Sequence, residues 1–120
     1  MPADLMQTGA FVPERGDFVR LVLDPRVGHE QSGERPALVL TPWRFNAVTG
    51  YAFVAPVTGT QRGWPFEVPI PAGGRVQGAV LADQTKSIDY AARHVRFLAA
   101  APKDLVGMVL ERLGAILEVQ

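Results

Sequence analysis

The sequence predicts a small, mainly β fold with one C-terminal α-helix, arranged as a partly open barrel. Three observations carry this. The chain has 120 residues, which favours one domain around one principal core. Short runs of β-forming residues alternate with loops bearing Gly and Pro from Asp17 to Leu98. After Pro102 the apolar residues recur at spacings of three and four, the helical period.

The elements follow in order. Residues 1–10 are small and polar and are expected to form a flexible N-terminal extension, leaving 11–120 as a single domain. Asp17 to Leu23 reads as the first strand and stops at Asp24-Pro25. A polar loop with Gly28 and Gly33 leads to Pro36 to Leu40, a nearly all-apolar strand suited to burial on both faces. Pro42 to Asn46 has the length of one helical turn, and Asn46 to Gly50 reads as a turn. Tyr51 to Ala55 is the third strand, followed by a Gly-bearing loop from Thr58 to Gly63. Phe66 to Ile70 alternates apolar and polar, and its Pro69 places it at a sheet edge. Gly78 to Ala82 and His94 to Leu98 complete the strands. In the final segment Leu105, Val106, Val109, Leu110, Leu113, Ile116 and Leu117 form one apolar stripe. Pro102 suits the first helical turn, and Asp104 suits its positive end.

Composition limits the functional classes. Lys plus Arg and Asp plus Glu both number 12, so formal net charge is zero. That disfavours indiscriminate polyanion binding. The neutrality is uneven, however. Residues 37–96 carry six cations against three acids, while both flanking segments are net acidic. A basic middle leaves room for a short nucleic acid held by a few placed cations. Ten of the 12 cations are Arg, the side chain whose planar fork grips phosphate, although genomic base composition also produces Arg excess. Cys is absent, which removes disulfides, Cys-based zinc sites and a Cys nucleophile. Residues 1–10 lack the cations and apolar run of a secretory signal, and nothing approaches the ~20 apolar residues of a membrane span. A soluble, cytoplasmic protein with no membrane association is expected.

Three segments carry chemistry. The first, Gly28-His29-Glu30-Gln31-Ser32-Gly33-Glu34-Arg35, sets carboxylates, an imidazole, an amide and a guanidinium ahead of a buried strand. Arg35, at the strand entrance, is placed either to clamp a phosphate or to pair with Glu30 or Glu34 in a solvated loop. The second, Thr58-Gly59-Thr60-Gln61-Arg62-Gly63-Trp64-Pro65-Phe66, puts hydroxyls and Arg62 beside two aromatics. Those rings either stack bases or plug the barrel end. The third, Ala82-Asp83-Gln84-Thr85-Lys86-Ser87, is a polar cluster after a buried strand, or a plain turn. No Walker-type phosphate loop or HExxH zinc motif occurs. With two His in the chain, metal-free chemistry with no cofactor is the expectation.

These segments resemble the MazF/PemK family of toxin endoribonucleases from type II toxin–antitoxin systems. Val12-Pro13-Glu14-Arg15-Gly16-Asp17 resembles the family's opening VPxxGD. Asp24-Pro25 with Gly28 to Ala37 resembles DP…GxEQxGxRPA. Asn46 to Gly50 resembles the YNxxTG turn, with Phe45 for Tyr. Gly63 to Val68 resembles G[YW]PFEV, and Ala82 to Ile88 resembles ADQVKS[IL]. The resemblance runs from about Val12 to Leu117.

It implies an SH3-like barrel of the MazF/PemK/CcdB toxin type, a homodimer, and metal-independent cleavage of single-stranded RNA at short motifs. It also implies neutralisation by a cognate MazE-like antitoxin. Carried over residue by residue, the catalytic positions are Glu30, Arg35 and Thr58, and the RNA contacts are Gln31, Arg62, Gln84 and Lys86. Three departures concern RNA contacts. The family's Thr-Thr pair is Thr58-Gly59 here, Arg20 replaces a common Trp, and the WRAR segment is Tyr90-Ala91-Ala92-Arg93. In the implied reaction the 2′-hydroxyl attacks phosphorus and leaves a 2′,3′-cyclic phosphate. Family accounts give the positions of Arg35 and Thr58 acid–base roles. Arg is a difficult base because its pKa exceeds ~12. Arg35 is therefore expected to act as phosphate clamp, Thr58 as hydrogen-bond donor or proton relay, and Glu30 as base or orienter of Arg35. His29 has an imidazole suited to proton transfer, or is an exposed loop residue. The alternatives are a non-catalytic toxin of the same fold that poisons DNA gyrase, and an inactive RNA-binding relative.

Overall fold

The computed structural model describes residues 11–23 and 33–119. The expected extension over residues 1–10 lies outside them, as do His29, Glu30 and Gln31. The described chain folds as β1 (Asp17–Leu23), β2 (Gly33–Val39), α1 (Trp43–Thr49), β3 (Tyr51–Thr58), β4 (Glu67–Pro69), β5 (Ala79–Leu81), a 3₁₀ turn (Ala82–Gln84), β6 (Lys86–Asp89), β7 (Arg96–Ala100) and α2 (Lys103–Ile116). It is mainly an antiparallel sheet with a C-terminal helix, in the order β4-β5-β3-β2-β1-β7, with β6 also on β3. The sheet does not close.

β3 is the organising strand. One side pairs with β2, from Ala37↔Pro56 to Val39↔Val54. On the other side its first half pairs with β6 and its end with β5. Side chains alternate between the two faces of a strand, and two cores result. Phe18, Leu38, Ala55, Val57, Val68 and Val80 face α2, which contributes Leu105, Val106 and Val109. Val19, Leu21, Ala37, Val39, Ala52, Val54, Ile88, Tyr90 and Val95 form a smaller core on the opposite face. Burying a side chain such as Leu105 stabilises the fold by about 1.5–3 kcal/mol. The notable consequence is that α2 covers one face only. The free end of the other face is where the polar motifs emerge.

Several boundaries differ from the sequence reading. β2 begins at Gly33, three residues earlier, because Glu34 and Arg35 pair with Val22 and Leu21 of β1. The third polar segment is a 3₁₀ turn followed by a real strand, β6. The last strand starts at Arg96, while His94 occupies a turn with φ +51°. α1 runs for seven residues rather than one turn, ending at Gly50, whose φ of +78° suits glycine. Pro102 caps α2 from outside the helix. Ile116 and Leu117, expected on the apolar stripe, are exposed at the C-terminal end of α2. β4 does lie at the sheet edge, as Pro69 indicated.

α1 is tied to the second core by Asn46, which is fully buried. Its Nδ2 donates to the carbonyls of Pro13 (2.8 Å) and Thr41 (3.0 Å). Its Oδ1 accepts from the Thr41 hydroxyl (2.6 Å), and its backbone carbonyl accepts from the Tyr90 hydroxyl (2.6 Å). A buried amide saturated in this way fixes one arrangement of the segments it joins. Among the described residues, no helix is long and apolar enough to cross a membrane.

Candidate functional site

The β2–β3 register sets the geometry. Each pair steps one residue back along β2 and one forward along β3. The pairing ends at Ala37↔Pro56; Arg35 lies two residues before Ala37 on β2 and Thr58 two residues after Pro56 on β3, so both face the side that this last pair faces. Arg35 is also the partner of Leu21 on β1 and shares its face, that of the smaller core. The structure thus turns a loop-entrance Arg into a strand residue with a defined facing. Arg35 is exposed and engaged by a neighbouring group.

Thr58 ends β3 and is only 5% exposed. Its hydroxyl accepts from the Thr60 N–H (3.2 Å) and donates weakly to the Thr60 carbonyl (3.3 Å). This local turn holds the oxygen in place. Redirecting its proton to a bound oxyanion costs one long hydrogen bond, about 1 kcal/mol. Gly78 is obligatory beside it: φ is +115°, and a Cβ there would lie 2.0 Å from the Thr58 carbonyl oxygen. β5 can therefore approach the end of β3 closely, which fixes Thr58 from its other side.

The loop after Thr58 is organised from below by Glu67, a carboxylate only 5% exposed. Its Oε1 accepts from the N–H of Arg62 and of Gly63, both at 3.0 Å. Arg112 of α2 donates to the carbonyls of Pro65 and Glu67, the latter at 3.3 Å. The loop's backbone is thus held while its side chains face outward. Trp64 is 45% exposed and Phe66 41%, so neither plugs the barrel end. The Arg62 guanidinium lies 5.3 Å from the centre of the Trp64 ring, a cation–π contact that presents charge and aromatic surface together.

Lys86 pairs with Val54, and Ile88 with Ala52, so Lys86 shares the face of Arg35 and Thr58. It is half-buried and stands four β3 residues from Thr58, roughly 13 Å along the strand. Gln84, in the 3₁₀ turn, is half-buried and engaged by a neighbour. The structure therefore sets Arg35 and Thr58 on one face, each two residues past the last β2–β3 pair, with Arg62 on the adjoining loop and Lys86 further along β3. Glu67 and Arg112 were not singled out from sequence as holding this loop. The Glu in the GWPFEV segment was the available signal, and Arg112 was hidden in a helix far along the chain.

A second surface feature lies on α1 and the start of β3. Trp43, Phe45, Val48, Tyr51 and Phe53 are all exposed, and the rings of Phe45 and Phe53 meet edge-on at 5.7 Å. Core burial does not account for Tyr51, Phe53 or Trp43.

Comparison with known proteins meets this geometry. Residues 14–117 match the family described as PemK-like, MazF-like toxin of type II toxin–antitoxin system. The chain is 45% identical over 83 residues to the endoribonuclease toxin MazF of Escherichia coli K12, covering 69% of this chain and 74% of that protein. It is 42% identical over 108 residues to the E. coli endoribonuclease PemK, covering 87% and 81%. Crystalline MazF from Deinococcus radiodurans superposes with a TM-score of 0.86 at 46% identity, covering 91% of this chain and 99% of that one. A MazE–MazF complex from the same organism matches at a TM-score of 0.82 and 45% identity, covering 92% and 99%. The chain belongs to the PemK-like, MazF-like toxin family of type II toxin–antitoxin systems.

Proposed function

We propose that this protein is an endoribonuclease toxin that cleaves single-stranded RNA through attack by the RNA's own 2′-hydroxyl. Arg35 and Thr58 on one sheet face, each two residues past the last β2–β3 pair, are the observation that carries the reading. In this reaction negative charge grows on the non-bridging phosphate oxygens. A fixed guanidinium beside a fixed hydroxyl offers donors to those oxygens without reorganisation. Arg35 is the clamp and Thr58 the second donor. Glu30, outside the described residues, removes the 2′-hydroxyl proton or orients Arg35. The bond from oxygen to phosphorus forms as the bond to the 5′-oxygen breaks, and the departing oxygen takes up a proton, leaving a 2′,3′-cyclic phosphate and a 5′-hydroxyl. Arg62 with Trp64, Gln84 and Lys86 hold the strand on either side, as does Gln31. No metal takes part.

A MazE-like antitoxin neutralises the protein by covering this track, in line with the MazE–MazF complexes among its structural relatives. The exposed aromatic patch on α1 and β3 serves as the homodimer surface, since contiguous apolar patches mark association sites. The test pairs an RNA oligonucleotide with its all-deoxy counterpart, each with and without EDTA. RNA cleavage that persists in EDTA and spares the deoxy strand supports the reading. Cutting of the deoxy strand overturns the 2′-hydroxyl route.

A further inference from the structure

The β7 end of the sheet carries a second concentration of cations. Arg20 of β1 and Arg96 of β7 are register partners, so their side chains share a face. Arg75, from the β4–β5 connection, reaches the same place, and its Nη1 donates to the Leu98 carbonyl at 3.0 Å. These three Arg line one cleft of about 250 Å³. Phe97 pairs with Val19 and directs its ring to the opposite face, where the Phe11 ring meets it edge-on at 6.5 Å. An adjoining cleft of about 200 Å³ shares Arg20 and Arg96 and adds Glu34 and His94.

Glu34 is the one acid lining either cleft among the described residues. It pairs with Arg20 at 2.9 Å across an exposed surface, a contact that solvent screens. The Arg96 guanidinium makes no hydrogen bond or ion pair among the described residues. Three Arg and one Glu leave a formal charge of +2 around a small volume. Like charges held this close repel each other, and an anion between them relieves that repulsion. A phosphate monoester carries about −1.5 to −2 charge at pH 7 and three acceptor oxygens. Guanidinium forks match those oxygens in geometry and charge. A carboxylate offers one charge and two oxygens, and Arg20 already holds one, that of Glu34.

We propose that this cleft is a binding site for one dianionic phosphate group, free or on a small nucleotide, whose oxygens Arg20, Arg75 and Arg96 share. The site stands apart from the reaction proposed above. Arg20 is the neighbour of Leu21, which pairs with Arg35, so Arg20 and Arg35 face opposite sides of the sheet. A ligand in the cleft therefore leaves the face of Arg35 and Thr58 open. Glu34 is the competitor built into the site, since it holds the Arg20 guanidinium that the phosphate needs. Removing the charge of Glu34 strengthens phosphate binding, and removing an Arg weakens it. These opposite signs distinguish a phosphate site from a patch in which the ion pair only steadies β1 and β2.

The experiment is a chemical-shift titration of the full chain with inorganic phosphate, and separately with adenosine 5′-monophosphate, against chloride at matched ionic strength. Wild type is compared with Arg96→Ala, Arg75→Gln, Glu34→Gln and Arg35→Ala, with thermal melting as the check on folding. The proposal expects saturable shifts at Arg20, Arg75 and Arg96. It expects about tenfold weaker binding by Arg96→Ala and by Arg75→Gln, and several-fold tighter binding by Glu34→Gln. Arg35→Ala should leave these shifts unchanged. Equal affinity for the two probes identifies the free ion as sufficient, and tighter binding of the monophosphate identifies a nucleotide as the source. Shifts no larger than those from chloride overturn the proposal, as does wild-type affinity in folded Arg96→Ala and Arg75→Gln. Phosphate binding lost only in Arg35→Ala overturns it in favour of the opposite face. An oligo-Glu peptide that saturates the same residues while phosphate does not overturns it in favour of a protein partner. RNA cleavage is not a readout here, so failure of this site leaves the endoribonuclease reading untouched.

Discussion

Arg35 and Thr58 lie on one face of the sheet, each two residues past Ala37↔Pro56, the last pair of β2 with β3. One is an exposed cation and the other a nearly buried hydroxyl, and they face the same side of the sheet. A pair acting on one phosphate loses its effect as a unit. Arg35→Ala and Thr58→Val are each expected to lower the RNA cleavage rate about 100–1000-fold. The double variant should fall little further. Single-turnover rates with matched circular dichroism spectra check this.

Glu67 predicts an effect that separates binding from chemistry. Its carboxylate holds the backbone of Arg62 and Gly63 beneath the exposed Trp64. Glu67→Gln keeps the shape and removes the charge from these hydrogen bonds. Stability should drop by about 1–2 kcal/mol. KM for RNA should rise several-fold while kcat changes little, because the proposed function gives this loop substrate contacts and not the reacting groups. Denaturant melts and steady-state kinetics read the two effects.

Asn46 and Tyr90 predict a stability effect without a catalytic origin. Asn46→Ala strands the buried carbonyl of Pro13 and the part-buried carbonyl of Thr41 and should cost about 2–4 kcal/mol. Tyr90→Phe removes one hydrogen bond and should cost about 1 kcal/mol. Burial raises the Tyr90 hydroxyl pKa above its ordinary 10.0, and the charge of Asp89 adds to this. The folded state thus keeps the proton that the unfolded chain releases. Stability from this group is complete below pH 10.0 and falls as pH rises toward the raised value. Tyr90→Phe should lack that alkaline decline, as urea melts across pH 9 to 11 would show.

The exposed aromatic patch predicts oligomeric state. Phe53→Asp puts a charge beside Phe45 at the centre of the α1–β3 surface. Sedimentation should give a dimer for wild type and a monomer for Phe53→Asp, with melting little changed because Phe53 is already exposed. A wild-type monomer at micromolar concentration removes the patch as a self-association surface.

Much of the architecture was legible from local chemistry. Pro69 marked an edge strand because it cannot donate in a ladder, and the spacing from Leu105 to Val109 marked α2. β6 was not legible, since Lys86-Ser87-Ile88-Asp89 is short and polar and becomes a strand only by pairing with β3. The same holds for Glu34 and Arg35, whose strand character comes from β1. For the proposed site, residue types suggested a phosphate clamp, but facing was not readable. Register alone puts Arg35, Thr58 and Lys86 on one face, with Lys86 some way off. Glu67 and Arg112 were missed as anchors because their partners are backbone groups that only the folded loop presents.

The most direct test incubates wild type and Arg35→Ala in parallel with one long mixed-sequence RNA and maps every new end with its terminal chemistry. Wild type should cut at a recurring short motif and leave 2′,3′-cyclic phosphates, and Arg35→Ala should leave the RNA essentially intact. Equal cutting by both proteins, or wild-type ends carrying a 3′-hydroxyl, would contradict the account.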